Sequence, residues 1–174
     1  MNRFILDINP EKAAQYHCDK HVVKMILEEA QMLSTAHRIL DGTQYVANSG
    51  RKIKRWALSD DRENILYKAT HVNHPCTQWS IQTSSNYKWG FLLFTMLLQE
   101  YTFRYGKHHK SEALIPYLQN TPNNISVGKL TNFPQAMPVD CKAENSIDAY
   151  RNYYINYKKS FAKWTKRETP DWFT

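Results

Sequence analysis

Apolar residues recur at helical spacing between Val22 and Leu40. At about 100° per residue, Val22, Met25, Ile26, Met32, Leu33, Ala36 and Leu40 share one broad arc. The opposite side carries His21, Lys24, Glu28, Gln31 and Thr35 at i, i+3, i+4, i+7 intervals. The spacing predicts one long amphipathic helix that starts at Asp19, a residue suited to cap orphan amides, and stops at Asp41-Gly42. Its polar stripe puts a base, a cation, a carboxylate and an amide within reach of one another. The plain alternative is a solvated face with a Lys24–Glu28 pair worth a few tenths of a kcal/mol. His21 and Lys20 fall in the first turn, where the helix dipole favours a neutral imidazole. Glu29 falls inside the apolar arc, so its carboxylate either meets a cation from another helix, sits at the rim, or is pushed to a raised pKa by burial.

Elsewhere the pattern is mainly helical. Asn2–Leu6 reads as a short strand or an extended arm, and Asn9-Pro10 opens a short helix to about His17. Residues 42–54 lose their periodicity among Gly42, Asn48, Ser49 and Gly50 and read as a loop. Asp60–Ala69 reads as a helix. Pro75 pushes His74 out of helical geometry, so His71-Val72-Asn73-His74 forms an entry loop to a helix at 77–81, which is interrupted at 84–86. Tyr87–Tyr105 is apolar nearly all round and stops at Gly106, which predicts a long central helix. Glu100 and Arg104, one turn apart on it, should pair. Ser111–Leu118 suggests a short helix, disturbed by Pro116. Residues 120–145 form a long Asn/Pro/Thr-rich loop of the kind that serves as a lid or binding loop. A final helix, capped by Asn145 or Ser146, runs to about Thr165 with Tyr150, Tyr153, Tyr154, Tyr157, Phe161 and Trp164 inward and many cations outward. The expectation is an all-α fold: a single compact multi-helix domain over residues 1–174, with a long central buried helix and a long loop near 120–145.

Composition narrows the partner. The formal charge is +7 and aromatics make up 13% of the chain, which suits phosphate contact and base stacking. The competing reading is that most rings fill the core. Cys18, Cys76 and Cys141 are far apart without a CxxC pair, so reduced thiols are expected rather than a disulfide framework. No apolar run approaches the roughly 18 residues that would suggest a membrane span, and residues 1–10 lack the layout of a signal peptide. No membrane partner is expected, and the expected location is the cytoplasm.

The candidate chemistry follows from those placements. His21, Lys24 and Glu28 would form one wall of a cleft, with His71 and His74 opposite and the 120–145 loop as cover. His21 and Glu28 are the acid–base candidates; Lys24 or Lys20 would clamp a phosphate or act as an amine nucleophile. Gln31 and Asn73 could read a base edge. Arg51, Lys52 and Arg55 beside Trp56 suit phosphate contact with a stacking surface, and Asp19, Gln135 and Arg151 complete the substrate-binding set. No Gly-rich phosphate loop, serine elbow or dinucleotide fingerprint is present. His-x-x-His is a weak metal signal, so no metal ligand is assigned, and no motif names a cofactor or an oligomeric state.

Cys-Asp-Lys-His-Val-Val-Lys-Met at 18–25, His-Val-Asn-His-Pro at 71–75, Phe-Pro-Gln-Ala-Met-Pro at 133–138 and Tyr-Arg-Asn-Tyr-Tyr at 150–154 resemble small phage-encoded proteins over nearly the whole chain. The resemblance implies phage nucleic-acid metabolism, in the host-cell cytoplasm, as the setting, and no residue role. The leading expectation is an enzyme of DNA base modification or base excision. Two alternatives stand beside it: a metal-dependent nucleotide hydrolase using His71, His74 and a carboxylate, and a non-enzymatic basic helical module that binds nucleic acid or a host protein.

Overall fold

The amphipathic pattern at 19–41 becomes the helix against which much of the chain packs. The computed structural model describes residues 1–48, 50 and 52–173. In it α1 (Pro10–Tyr16) precedes α2 (Asp19–Asp41), whose arc of Val22, Met25, Ile26, Met32, Leu33 and Ala36 is fully buried. α4 (Pro75–Gln82) and α5 (Ser84–Tyr105) both pack on α2, and α1 packs on α5. α3 (Arg62–Ile65) and α6 (Ile115–Leu118) are short, and α7 (Ser146–Lys158) closes the helical set. Asn9 caps α1 as expected, its side chain accepting from the amides of Glu11 and Lys12. No helix among the described residues is long and apolar enough to cross a membrane, and all three cysteines are buried free thiols.

The expectation of helices alone requires one correction. Residues 43–57, read as loop followed by basic cluster, form an antiparallel hairpin of β1 (Thr43–Asn48) and β2 (Lys52–Ala57), with Tyr45 opposite Arg55 and Val46 opposite Lys54. Thr43, Tyr45, Val46, Ile53 and Trp56 favour extended backbone, and Gly50 supplies a φ of +82° at the connection. The loop signals therefore mark a turn between strands.

The helix expected over 60–69 shrinks to one turn for a different reason. The buried Arg38 guanidinium donates to the carbonyls of Trp56, Glu63, Leu66 and Tyr67 and to the Glu63 carboxylate. Those carbonyls are turned toward a cation and cannot continue a helical ladder. The break between α4 and α5 falls at Thr83 rather than 84–86, because Thr83 Oγ1 accepts the Asn86 amide at 3.1 Å and caps α5. α5 is not buried all round: Leu92 and Phe103 are exposed.

α7 ends at Lys158 instead of continuing to Thr165. Beyond it the chain turns back onto the start of α2, where Lys163 O accepts the Asp19 amide at 2.8 Å. Tyr150 and Tyr154 are buried as expected, whereas Tyr157 is exposed and donates to Asp140.

Residues 2–6 resolve the two readings in favour of an extended arm, and it carries the cation that Glu29 requires. Arg3 Nε donates to Glu29 Oε1 at 2.8 Å and its Nη2 to Oε2 at 2.5 Å, with both side chains fully buried. Burial pushes the Glu29 carboxyl upward and Arg3 opposes that push; Glu29 in turn holds the Arg3 guanidinium above its usual range against burial. The guanidinium also bonds Ser80 and lies over Trp79. Gly90 of α5 faces it so closely that an added Cβ would meet Arg3 Nη2 at 2.6 Å. Because Arg3 is clamped from three sides, it cannot swing away. Gly90→Ala is expected to cost about 1–3 kcal/mol by overpacking despite the better helix propensity of alanine. Equilibrium urea unfolding checks this, and a stabilised variant would show that the arm yields.

Candidate functional site

The first turns of α2 and the facing side of α7 place the candidate residues around one hollow. Spacing of i, i+3 and i+7 stacks His21, Lys24 and Glu28 on one side of α2. Tyr153 and Lys158 come from α7, and Met1, Asn2 and Phe4 from the arm. Together with Met25 they line a cleft of about 170 Å³. That is below the roughly 300–1,000 Å³ of pockets that bury drug-sized ligands, so it suits one ring or a small polar group. A larger hollow of about 550 Å³ lies along α5, lined by residues including Leu98, Phe103 and Ile115; it contains none of the predicted site residues.

His21 is held rigidly. Phe4 stacks on its imidazole at 4.4 Å between centroids, Phe161 meets it edge-on, and Nδ1 lies 2.5 Å from the Tyr154 hydroxyl. Its Nε2 has no hydrogen-bond partner among the described residues, and His21 is part of the cleft wall. The sequence expectation of a neutral imidazole is met, but the helix dipole is not the main cause. Burial lowers the pKa to about 3, aided by the charges of His17, Lys158 and Lys24.

Glu28, only 8% exposed, accepts the Asn2 amide at 2.7 Å and faces Lys24 Nζ at 3.4 Å; the Met1 amine is 4.0 Å away. Lys24 itself is exposed, and Lys158 Nζ sits 4.3 Å over the Tyr153 ring. A carboxylate with restricted solvent access, two lysine ammonium groups, the Met1 amine and a fixed neutral imidazole therefore share one small volume. Such a set can transfer a proton, stabilise a developing positive charge and hold an anion.

Several expected members lie elsewhere. Lys20 is exposed, its Nζ 4.7 Å from the Phe161 ring centre and outside the cleft lining. His74 caps α4, its Nδ1 accepting the Cys76 amide at 3.2 Å, and remains within electrostatic reach of Glu28. His71 and Asn73 are exposed on the same segment; none of the three lines the cleft, because Pro75 commits His74 to capping. Gln31 is half-buried outside it. The 120–145 loop is no cover either. It is pinned by Asp41 to the Asn123 and Asn124 amides, by Asn86 to Thr131, and by Tyr150 to Pro134.

Three substrate-binding candidates are spent on structure. Asp19 does not cap α2, since Cys18 occupies the cap position; its carboxylate takes Arg104 and Thr165. Gln135 bonds both backbone groups of Ala143. Arg151 donates to Leu6 O and lies over Tyr16 and Trp172. Glu100 and Arg104 pair as expected, at 2.6 Å. Lys52, Arg55 and Trp56 belong to the hairpin, while Arg51 lies outside the described residues. Sequence reading missed the arm residues; it placed Tyr153 on the inner face of the last helix and Lys158 among that helix's phosphate-contacting cations, without bringing either to the His21–Glu28 stripe.

Among the described residues no group of three or more His, Cys, Asp and Glu side chains could hold a metal ion.

Burial has a further consequence. His17, His21 and His37 have pKa values lowered to about 4, about 3 and about 4, with burial the largest cause in each. In the unfolded chain they return to about 6.5. The unfolded state therefore takes up protons that the folded state refuses, so stability is full above about pH 6.5 and falls as pH drops toward 4. Each histidine contributes a slope of up to about 1.4 kcal/mol per pH unit. Urea midpoints at pH 7.5 and 5.0 should differ clearly; equal midpoints would mean that these imidazoles protonate in the folded protein.

No family model matches the chain, and comparisons with curated proteins and with solved structures gave no significant match.

Proposed function

We propose that the chain is an enzyme of DNA base excision, taking one base into the His21–Lys24–Glu28 cleft. The observation that supports this most is the convergence of a shielded carboxylate, two lysine ammonium groups and a neutral imidazole on a hollow sized for a single ring. A base inside a duplex is out of reach, so it must be extruded; Lys24 and Lys158 suit the flanking phosphates.

In this reading Glu28 accepts a proton from the water that attacks sugar C1′. The C1′–N bond breaks, its electron pair stays on the base nitrogen, and an ammonium of the cleft supplies the proton that nitrogen takes up. His21, uncharged at neutral pH, hydrogen-bonds the base edge through Nε2. The overall basic charge of +7 supports attraction to a polyanion.

The test uses duplex oligonucleotides carrying alkylated, oxidised, deaminated or cross-linked bases, with free bases measured by mass spectrometry. Release of a base from one of them is the expected result. An intact panel after long incubation with excess protein would overturn the reading.

A further inference from the structure

We propose that the β1–β2 hairpin is a ribbon that enters the major groove of B-form DNA about one helical turn from the base held in the cleft. This rests on the reading of the cleft as a DNA base site and adds to it the form of nucleic acid recognised.

Among the described residues the hairpin stands as a two-stranded sheet with no third strand, an arrangement only marginally stable in water by itself. Its root is anchored: Arg38 holds Trp56 O, and Arg55 donates to Ala69 O at 3.2 Å. Beyond the root, Tyr45 and Val46 are 44% and 52% exposed. Residues 43–57 contain four cations and no carboxylate, and no ion pair among the described residues involves Lys52, Lys54 or Arg55. The cross-strand register puts Lys54 beside Val46, and strand alternation puts Lys52 and Gln44 on that same face. Both lysines are exposed. A polyanionic partner is the occupant this surface fits by charge.

Its position selects a duplex. From Glu28 and from His21 to Asp41, α2 advances about 20 and about 30 Å at 1.5 Å per residue, on the scale of the roughly 34 Å of one DNA turn. The interval is bridged on one side of α2. Thr35 exchanges hydrogen bonds with Thr70, Ala69 anchors Arg55, and His74 lies within electrostatic reach of Glu28. The segment 69–74, with exposed His71 and Asn73, thus runs from the hairpin along α2 toward α4, outside the cleft lining. A two-stranded ribbon fits the roughly 12 Å major groove of B-DNA, whereas the deep, narrow major groove of A-form RNA refuses it.

The experiment measures binding by fluorescence anisotropy at several salt concentrations. Its ligands are a 25-base-pair DNA duplex, the matching RNA duplex and a single DNA strand, and the intact chain is compared with the Lys52→Ala/Lys54→Ala variant. Both lysines are exposed, so the variant should keep the parent's circular dichroism and melting temperature. The intact chain is expected to prefer the DNA duplex, and the variant to lose that preference and about two units of salt slope, roughly 0.9 for each phosphate contact. Equal binding of all three ligands, or an unchanged slope in the variant, overturns the ribbon and leaves the cleft reading intact. No binding to any ligand at low salt overturns both.

Discussion

Glu28→Gln is expected to slow base release by roughly two to four orders of magnitude, the usual contribution of a positioned general base. The amide keeps the size of the carboxylate and an oxygen that can still accept the Asn2 amide, now 2.7 Å from Glu28. The fold and the melting temperature should therefore change little. What is lost is proton acceptance and the negative charge facing Lys24. Binding of duplex DNA should persist or tighten, because a negative charge is removed from the surface proposed to meet phosphates. The measurement pairs single-turnover base release with duplex affinity. A variant that releases bases at the parent rate would remove Glu28 from the chemistry; one that loses affinity and activity together would make it a binding residue. His21→Ala is the companion, and should weaken base capture through loss of the Nε2 contact.

The second large effect concerns stability. Glu29→Ala leaves the Arg3 guanidinium, fully buried, without the carboxylate that accepts its Nε and Nη2 protons. Removing one partner of a buried pair costs about 3–5 kcal/mol, because the remaining charge stays desolvated. For a chain of this length that corresponds to roughly 6–20 °C in melting temperature. The arm would also lose its anchor, and with it the placement of Asn2 and Phe4 against Glu28 and His21. Replacing both partners, as in Arg3→Met/Glu29→Met, should recover much of the loss, since two apolar side chains need no compensation. If the single and double variants melt alike, the penalty comes from lost packing and not from an orphaned charge.

These two glutamates, adjacent in sequence, show how far periodicity carries. A spacing of 100° per residue assigns Glu28 to the polar side and Glu29 to the apolar side, and both stand there: Glu28 faces Lys24 and Glu29 is fully buried. It also identifies Glu29 as in need of a cation. It cannot say that the cation comes from Arg3 on an arm rather than from another helix, because that pairing spans 26 residues and depends on how the arm passes beneath Gly90. The same limit explains Asp19, Gln135 and Arg151. Each carries a group able to bind a ligand, and each has it occupied by a distant backbone or side chain invisible to local patterns. The hairpin was missed for a more local reason, since Gly and Asn signal a turn without saying whether loops or strands flank it.

The sequence by itself determined the helical character of the chain, the burial of one side of α2 and the gathering of His21, Lys24 and Glu28 on the other, because side-chain direction along a helix follows from backbone geometry alone. Tertiary structure decided that this stripe would be roofed by an arm and faced by Tyr153 and Lys158, and that His71 and His74 would stand outside. Those outcomes depend on contacts between segments up to 150 residues apart, whose energies compete with one another and leave no periodic trace.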